Sequence, residues 1–258
     1  MKAIAVEKLL TGVFEKYLES ITDEKLREAV KNNAFIAGGC IPSMLMDEWV
    51  NNYDVYFTSS VVAAAVREYY DKEVVFMLNN SNPSAYTFKL EETKDYKKIT
   101  CKEEVTKNGF TPVFITKNAI TLTDKIQLIT KFTGEPCDVV KNFDWAHLRS
   151  YYKYPKLHLD PDVYRLITEK DLVYTGSAYP LSSMIRMQKY TKKGWKINAI
   201  DQLKIALEMA KYDLTDLEIL KEQMTGIDPT YMLGIWDKIE SKKWEIDDLI
   251  CEINRVTN

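Results

Sequence analysis

The segment from Phe35 to Phe57, FIAGGCIPSMLMDEWVNNYDVYF, restricts the possible folds more than any other part of the chain. Ala34 to Ala37 is a short apolar burst, expected as a buried strand, and it ends in Gly38-Gly39, expected as a tight turn. Residues 40–50 return to helical character, and Tyr53 to Phe57 reads as a second strand. Paired glycines let backbone N–H groups approach an anion, and a helix N-terminus aims partial positive charge at the same place. Side chains alternate across a strand, so Asn52, Asp54 and Tyr56 share one face while Tyr53, Val55 and Phe57 share the other. A polar pair two residues apart beside an anion-binding turn suits a nucleoside triphosphate with its divalent metals.

Around this segment the chain has 258 residues, 46% hydrophobic and 12% aromatic, enough for a real core and too rich for disorder. Lys and Arg number 35 against 38 Asp and Glu, a formal charge of −3, so any attraction to nucleic acid must come from a local patch. No apolar run approaches the ~20 residues a membrane-spanning helix requires, and Met1 to Leu10 is too short and interrupted for a signal peptide. A cytoplasmic location and no membrane partner are expected. Cys40, Cys101, Cys137 and Cys251 lie far apart with no CxxC pair, which predicts reduced, mostly buried thiols.

Two helices are expected in the first thirty residues and another over 59–71. Further strands are expected at 85–90, 112–116, 118–122, 125–130 and 143–152, with the charge-dense stretch 91–108 an exposed hairpin or mobile loop. From Ser177 helical periodicity dominates, at 178–192, 198–211, 214–224 and 241–256. The domains expected are therefore a mixed part, 1–176, and a helical part, 177–258.

The Phe35–Phe57 segment resembles the nucleotidyltransferase superfamily that includes DNA polymerase beta, poly(A) polymerases and CCA-adding enzymes. Its signature is an apolar strand, Gly-Gly or Gly-Ser, about ten residues, then Asp-x-Asp in a strand. Here Gly38-Gly39 are followed by residues 40–51 and then Asn52-Tyr53-Asp54. More narrowly, the chain resembles phage-encoded nucleotidyltransferase-like proteins. Segments 125–129, Asn142-Phe143-Asp144 and 173–177 extend that likeness over roughly 34–225. The resemblance implies an α+β fold, a polymerase beta-like mixed sheet with flanking helices followed by a helical C-terminal domain. It also implies Mg²⁺ or Mn²⁺ held by two strand carboxylates and a third on a later strand, and an NTP donor. Nucleoside monophosphate would pass to a hydroxyl on an RNA 3′ end, a protein or a small molecule. If the chain is phage-encoded, the compartment is the host cytoplasm.

Asn52 stands where the family has its first aspartate. An amide oxygen can ligate Mg²⁺ but lacks the charge that offsets a hard dication. A weakened enzyme, a natural pseudoenzyme and an engineered inactive variant all remain open. Asp144 is the expected third ligand, an aspartate out of place in an apolar run; Asp124 and Asp138 are rivals with solvated roles. The metal and catalytic set expected is thus Asn52, Asp54 and Asp144. Gly38, Gly39 and Ser43 would contact phosphates.

Between Asp171 and Asp201 there is no acidic residue, while Arg186, Lys189, Lys192, Lys193 and Lys196 are basic. Ser182, Arg186, Lys189 and Lys193 fall on one helical face, and Arg186 and Lys189 are expected to neutralise triphosphate charge. The segment 180–186 has a looser likeness to a helix that follows the catalytic domain in CCA-adding enzymes and poly(A) polymerases. Tyr179, Tyr190 or Trp195 would stack on a base. His147 is expected to be a hydrogen-bonded structural histidine. The competing expectation is a non-catalytic binding module that kept the fold and lost the metal site; an interaction protein using the basic helix is a third.

Overall fold

The computed structural model describes residues 1–79, 88–101 and 109–227. These fall into two compact units: Met1–Lys141 with Leu148–Pro161, and Asn142–His147 with the chain from Asp162. Residues 162–176, grouped with the mixed part on sequence, belong to the second unit.

The first unit is an α+β structure, a mixed sheet flanked by helices. Nine strands lie in the order β3-β4-β5-β6-β7-β2-β1-β8-β9. They are β1 (Ala34–Ala37), β2 (Tyr53–Phe57), β3 (Phe88–Glu92), β4 (Tyr96–Cys101), β5 (Pro112–Thr116), β6 (Ala119–Leu122), β7 (Ile126–Thr133), β8 (Tyr151–Lys153) and β9 (Lys156–His158). Among the described residues every pairing is antiparallel except β2 with β7, which is parallel and sets Asp54 opposite Gln127. β1 is buried on both faces, as its unbroken apolar run requires. β2 buries Val55 and Phe57 and leaves Asp54 and Tyr56 half-exposed on the opposite face, the alternation the sequence predicts.

The helices of this unit are α1 (Ala3–Ser20), α2 (Glu24–Asn33), α3 (Cys40–Leu45), α4 (Ser60–Asn79) and α5 (Pro136–Lys141). Val6, Leu10, Phe14 and Tyr17 of α1, and Ala63, Val66, Tyr70 and Val74 of α4, recur at helical spacing and are buried. Each large apolar side chain so buried contributes about 1.5–3 kcal/mol. Asp23 caps α2 by accepting from the backbone N–H of Lys25 and Leu26 at 2.9 and 3.0 Å.

Helix α3 stops at Leu45 rather than near residue 50. Asp47 adopts a left-handed φ of 57°, and the N–H groups of Met46, Asp47 and Glu48 fold back onto Pro42, Met44 and Ser43 carbonyls. Helix α4 continues to Asn79, beyond the expected 71. The stretch 91–108 enters a β3–β4 hairpin; its residues 102–108, like the helix expected at 241–256 and the start of the strand expected at 85–90, lie outside the described residues.

The strand expected at 143–152 is not one. Asp144 lies in a bend, Trp145 makes an isolated bridge to Tyr174, and Ala146–Leu148 forms a single 3₁₀ turn before β8 begins at Tyr151. Apolar character here reflects burial of Trp145 and His147 among second-unit aromatics, not a sheet ladder, so two-residue periodicity carries no information about which way Asp144 faces.

The second unit is helical: α6 (Val163–Glu169), α7 (Pro180–Lys192), α8 (Ala199–Met209) and α9 (Leu217–Gln223). Pro180 opens α7, where its missing N–H costs nothing. Leu181 and Ile185 of α7 pack against Leu220 and Met224. No helix among the described residues is long and apolar enough to cross a membrane.

Candidate functional site

The strand–glycine–helix–strand segment builds one polar cluster in the first unit. β1 delivers the chain to Gly38, whose φ of +89° is one that L side chains rarely adopt. A Cβ at Gly38 would stand 3.2 Å from Asp54 Oδ2, so this glycine and the β2 carboxylate are in direct apposition. Gly39 has an ordinary helical φ of −65°, and a Cβ there would meet nothing within 4 Å. The pair is thus asymmetric: Gly38 is required by conformation, whereas Gly39 leaves open space at the start of α3. Ser43 lies within α3, half-buried, its N–H donating to Gly39 O.

Asn52 immediately precedes β2. Its Nδ2 donates to Asp54 Oδ1 at 2.7 Å and to Gln127 Oε1 at 2.9 Å. An ionised carboxylate only accepts, so the Asp54 contact fixes which end of the amide faces it. Gln127 is brought here by the parallel β2–β7 register. The face that Gln127 presents is not legible in the sequence, because the alternation of β7 is readable only once its neighbouring strand is known. Cys40 lies behind the cluster; burial, and secondarily the Asp54 charge, push its thiol well above the usual range, so it stays protonated.

Two divalent cations need several hard oxygen ligands, carboxylates foremost. This cluster supplies one carboxylate and two amides, with the Asn52 N–H₂ turned toward the carboxylate. Among the described residues no group of three or more His, Cys, Asp or Glu is placed to hold a metal. The donors on the sheet therefore do not fit a two-metal centre.

Asp144 and Arg186 come together in the second unit. Asp144 is 5% exposed, and Arg186 reaches its Oδ2 with Nε at 3.0 Å and Nη2 at 2.7 Å. Arg186 Nη1 also donates to Gly226 O at 2.9 Å, and Ser182 Oγ donates to the Gln223 and Thr225 carbonyls. The face read as basic thus begins in the interior, where Ser182 and Arg186 satisfy carbonyls at the end of α9. Lys189, Lys192, Lys193 and Lys196 are exposed.

Of the aromatic residues singled out for stacking, Tyr179 and Tyr190 are half-buried and Trp195 is buried. Trp195 is 3% exposed, its ring 4.3 Å from His147 and 5.4 Å from Tyr190. His147 is 1% exposed, and neither ring nitrogen has a hydrogen-bond partner, contrary to the satisfied histidine expected. Burial pushes its pKa down to about 3. Of the thiols, Cys40 is buried and Cys137 exposed.

The chain matches the Gabija anti-defense 2 family over residues 8–170. It is 28% identical over 253 residues to "Gabija anti-defense 2" of Bacillus phage SPbetaL7, an alignment covering 95% of this chain and 54% of the relative. The chain therefore spans about half the length of the curated relative it matches. Similar solved structures include a CCA-adding enzyme complexed with ATP, 14% identical with a TM-score of 0.45, covering 85% of this chain and 48% of that one. The Bacillus stearothermophilus CCA-adding enzyme in complex with CTP is 13% identical with a TM-score of 0.41, covering 77% and 48%. The Thermotoga maritima CCA-adding enzyme complexed with tRNA is 12% identical with a TM-score of 0.39, covering 76% and 45%.

Proposed function

The chain belongs to the Gabija anti-defense 2 family, and from that premise we propose that it is a phage counter-defence protein acting through a nucleoside triphosphate site on its mixed sheet. The site comprises the Gly38-Gly39 turn, Ser43, Asn52 and Asp54. It binds nucleotide, while metal-supported transfer of a nucleoside monophosphate to an RNA, protein or small-molecule hydroxyl is slow or lost. Within the second unit, Asp144 and Arg186 are proposed to serve structurally as a pair, and Lys189 to offer an exposed cation for an anionic ligand.

The observation that carries this reading is the orientation of Asn52. Its N–H₂ faces Asp54 Oδ1 at 2.7 Å, where a transferase would place a second carboxylate and, between the two, a cation. A donor in that place occupies a lone pair that a divalent ion would need. The open space over Gly39 supports approach of a phosphate.

Equilibrium dialysis with labelled ATP, in EDTA and in millimolar Mg²⁺, tests the site. ATP is expected to bind under both conditions with no release of pyrophosphate. Asn52→Asp is expected to make binding Mg²⁺-dependent and to bring turnover. Pyrophosphate release by the unaltered chain at the rate of Asn52→Asp would overturn the reading. The counter-defence role is tested by phage plating on Gabija-carrying bacteria that produce this chain or its Asp54→Ala variant, with protection of the phage expected only from the former.

A further inference from the structure

Trp49 is 77% exposed, although tryptophan is among the side chains most costly to leave in water. Its exposure is not a fraying end. The loop that carries it is fixed before the ring by backbone bonds from Met46, Asp47 and Glu48. After the ring it is fixed by burial of Val50, whose carbonyl accepts from Lys125 Nζ at 2.9 Å. The same ammonium lies 3.5 Å from the Trp49 ring centroid, covering one face of the indole and leaving the other to solvent.

Lys125 is held in an unusual backbone state to do this. Asp124 and Lys125 both have left-handed φ, 58° and 67°, in the β6–β7 turn, where hairpins favour Asn-Gly. A lysine in place of the expected glycine is strained, and its side chain holds Trp49. The backbone carbonyl of Lys125 meanwhile accepts from Tyr53 N at 2.7 Å, tying this turn to the start of β2. Trp49, Lys125, Asn52, Asp54 and Gln127 are therefore set by one register.

We infer that Trp49, backed by Lys125, is a stacking platform for the planar base of a nucleotide. A flat ring with one face open and a cation fixed behind it, three residues before the polar cluster that Asn52 opens, offers a base its π-face contact on the open side. The inference rests on the nucleotide reading above and adds to it the surface that takes the base. A free triphosphate and a single-stranded nucleic acid both carry such a base and offer the same stacking chemistry.

The full chain and its Trp49→Ala, Trp49→Phe and Lys125→Met variants would be titrated with ATP, with inorganic tripolyphosphate and with a twelve-residue oligoadenylate. Trp49→Ala is expected to weaken ATP binding about 5- to 150-fold, to leave tripolyphosphate binding unchanged, and to be largely rescued by phenylalanine. Lys125→Met is expected to weaken ATP binding as well. Thermal melting of each variant checks that the fold is kept. If ATP and tripolyphosphate bind and Trp49→Ala alters neither, the platform is overturned and the triphosphate site stands. If only the oligoadenylate binds, and loses affinity in Trp49→Ala, the platform stands and the free triphosphate reading falls. If none of the three binds, both fall.

Discussion

Arg186 holds Asp144 through two nitrogens on one carboxylate oxygen, and the carboxylate is almost entirely buried. Removing the cation leaves a buried charge without compensation, which is more costly than never having had the pair. Arg186→Met is expected to destabilise the chain by about 3 kcal/mol in urea unfolding. Adding Asp144→Leu to it should recover most of the loss, because the two apolar groups then fill the volume together. A single variant with unchanged stability would show the pair to be incidental.

The two glycines separate cleanly by experiment. Gly38→Ala places a methyl in a left-handed conformation and 3.2 Å from Asp54 Oδ2, at a cost of about 1–2 kcal/mol. Gly39→Ala meets nothing and should change stability by less than about 0.5 kcal/mol. Its methyl would occupy the space proposed for a phosphate, so it is expected to weaken ATP binding without a shift in the unfolding midpoint. Equal loss of stability in both variants would contradict the asymmetry.

Asn52→Asp exchanges a donor for a second anion beside Asp54 Oδ1. Without metal the repulsion is on the order of 4 kcal/mol for charges ~4 Å apart at an effective dielectric of ~20, and it grows as pH rises through the carboxylate range. The melting temperature in EDTA should therefore fall at pH 7 and recover at pH 4. Millimolar Mg²⁺ should restore it at pH 7, an increase absent from the unaltered chain.

His147 gives the chain a specific acid sensitivity. Its folded pKa, about 3, lies below the unfolded value, about 6.5, so the unfolded state takes up the proton first. Its contribution is complete above pH 6.5 and falls as pH drops toward 3, by about 2 kcal/mol between pH 7 and 5. His147→Phe keeps an aromatic ring between Tyr190 and Trp195 and should flatten that slope in unfolding titrations at the two pH values.

Where local patterning governs conformation, the fold is legible in the sequence. The order β1–Gly38–α3–β2, though not the early end of α3, the alternation of β2 and the buried stripe of α1 follow from periodicity and turn chemistry alone. What escaped is set by pairings distant in sequence. Gln127 joins Asn52 only through a parallel register with a strand some seventy residues earlier, and no spacing rule encodes it. Asp144 stands out in the sequence as an aspartate in an apolar run, but its pairing with Arg186, which the sequence reading expects to neutralise triphosphate, spans 42 residues and follows from no spacing rule. Nothing in the sequence marks Trp49, because an aromatic residue is ordinarily core and only a folded chain distinguishes an open ring from a packed one.

The parallel pairing of β2 with β7 also orders events in time. Asn52 and Asp54 leave the ribosome with Asn33 to Phe57 already able to form the β1–β2 hairpin-like pair, but Gln127 follows about 4–15 s later at ordinary elongation rates. Until then Asn52 lacks its Gln127 acceptor, and the turn that carries Lys125 does not yet exist. On the proposed nucleotide reading, the pocket is complete only after the β6–β7 hairpin is synthesised, and ligand present during translation would select nascent chains that have closed this register.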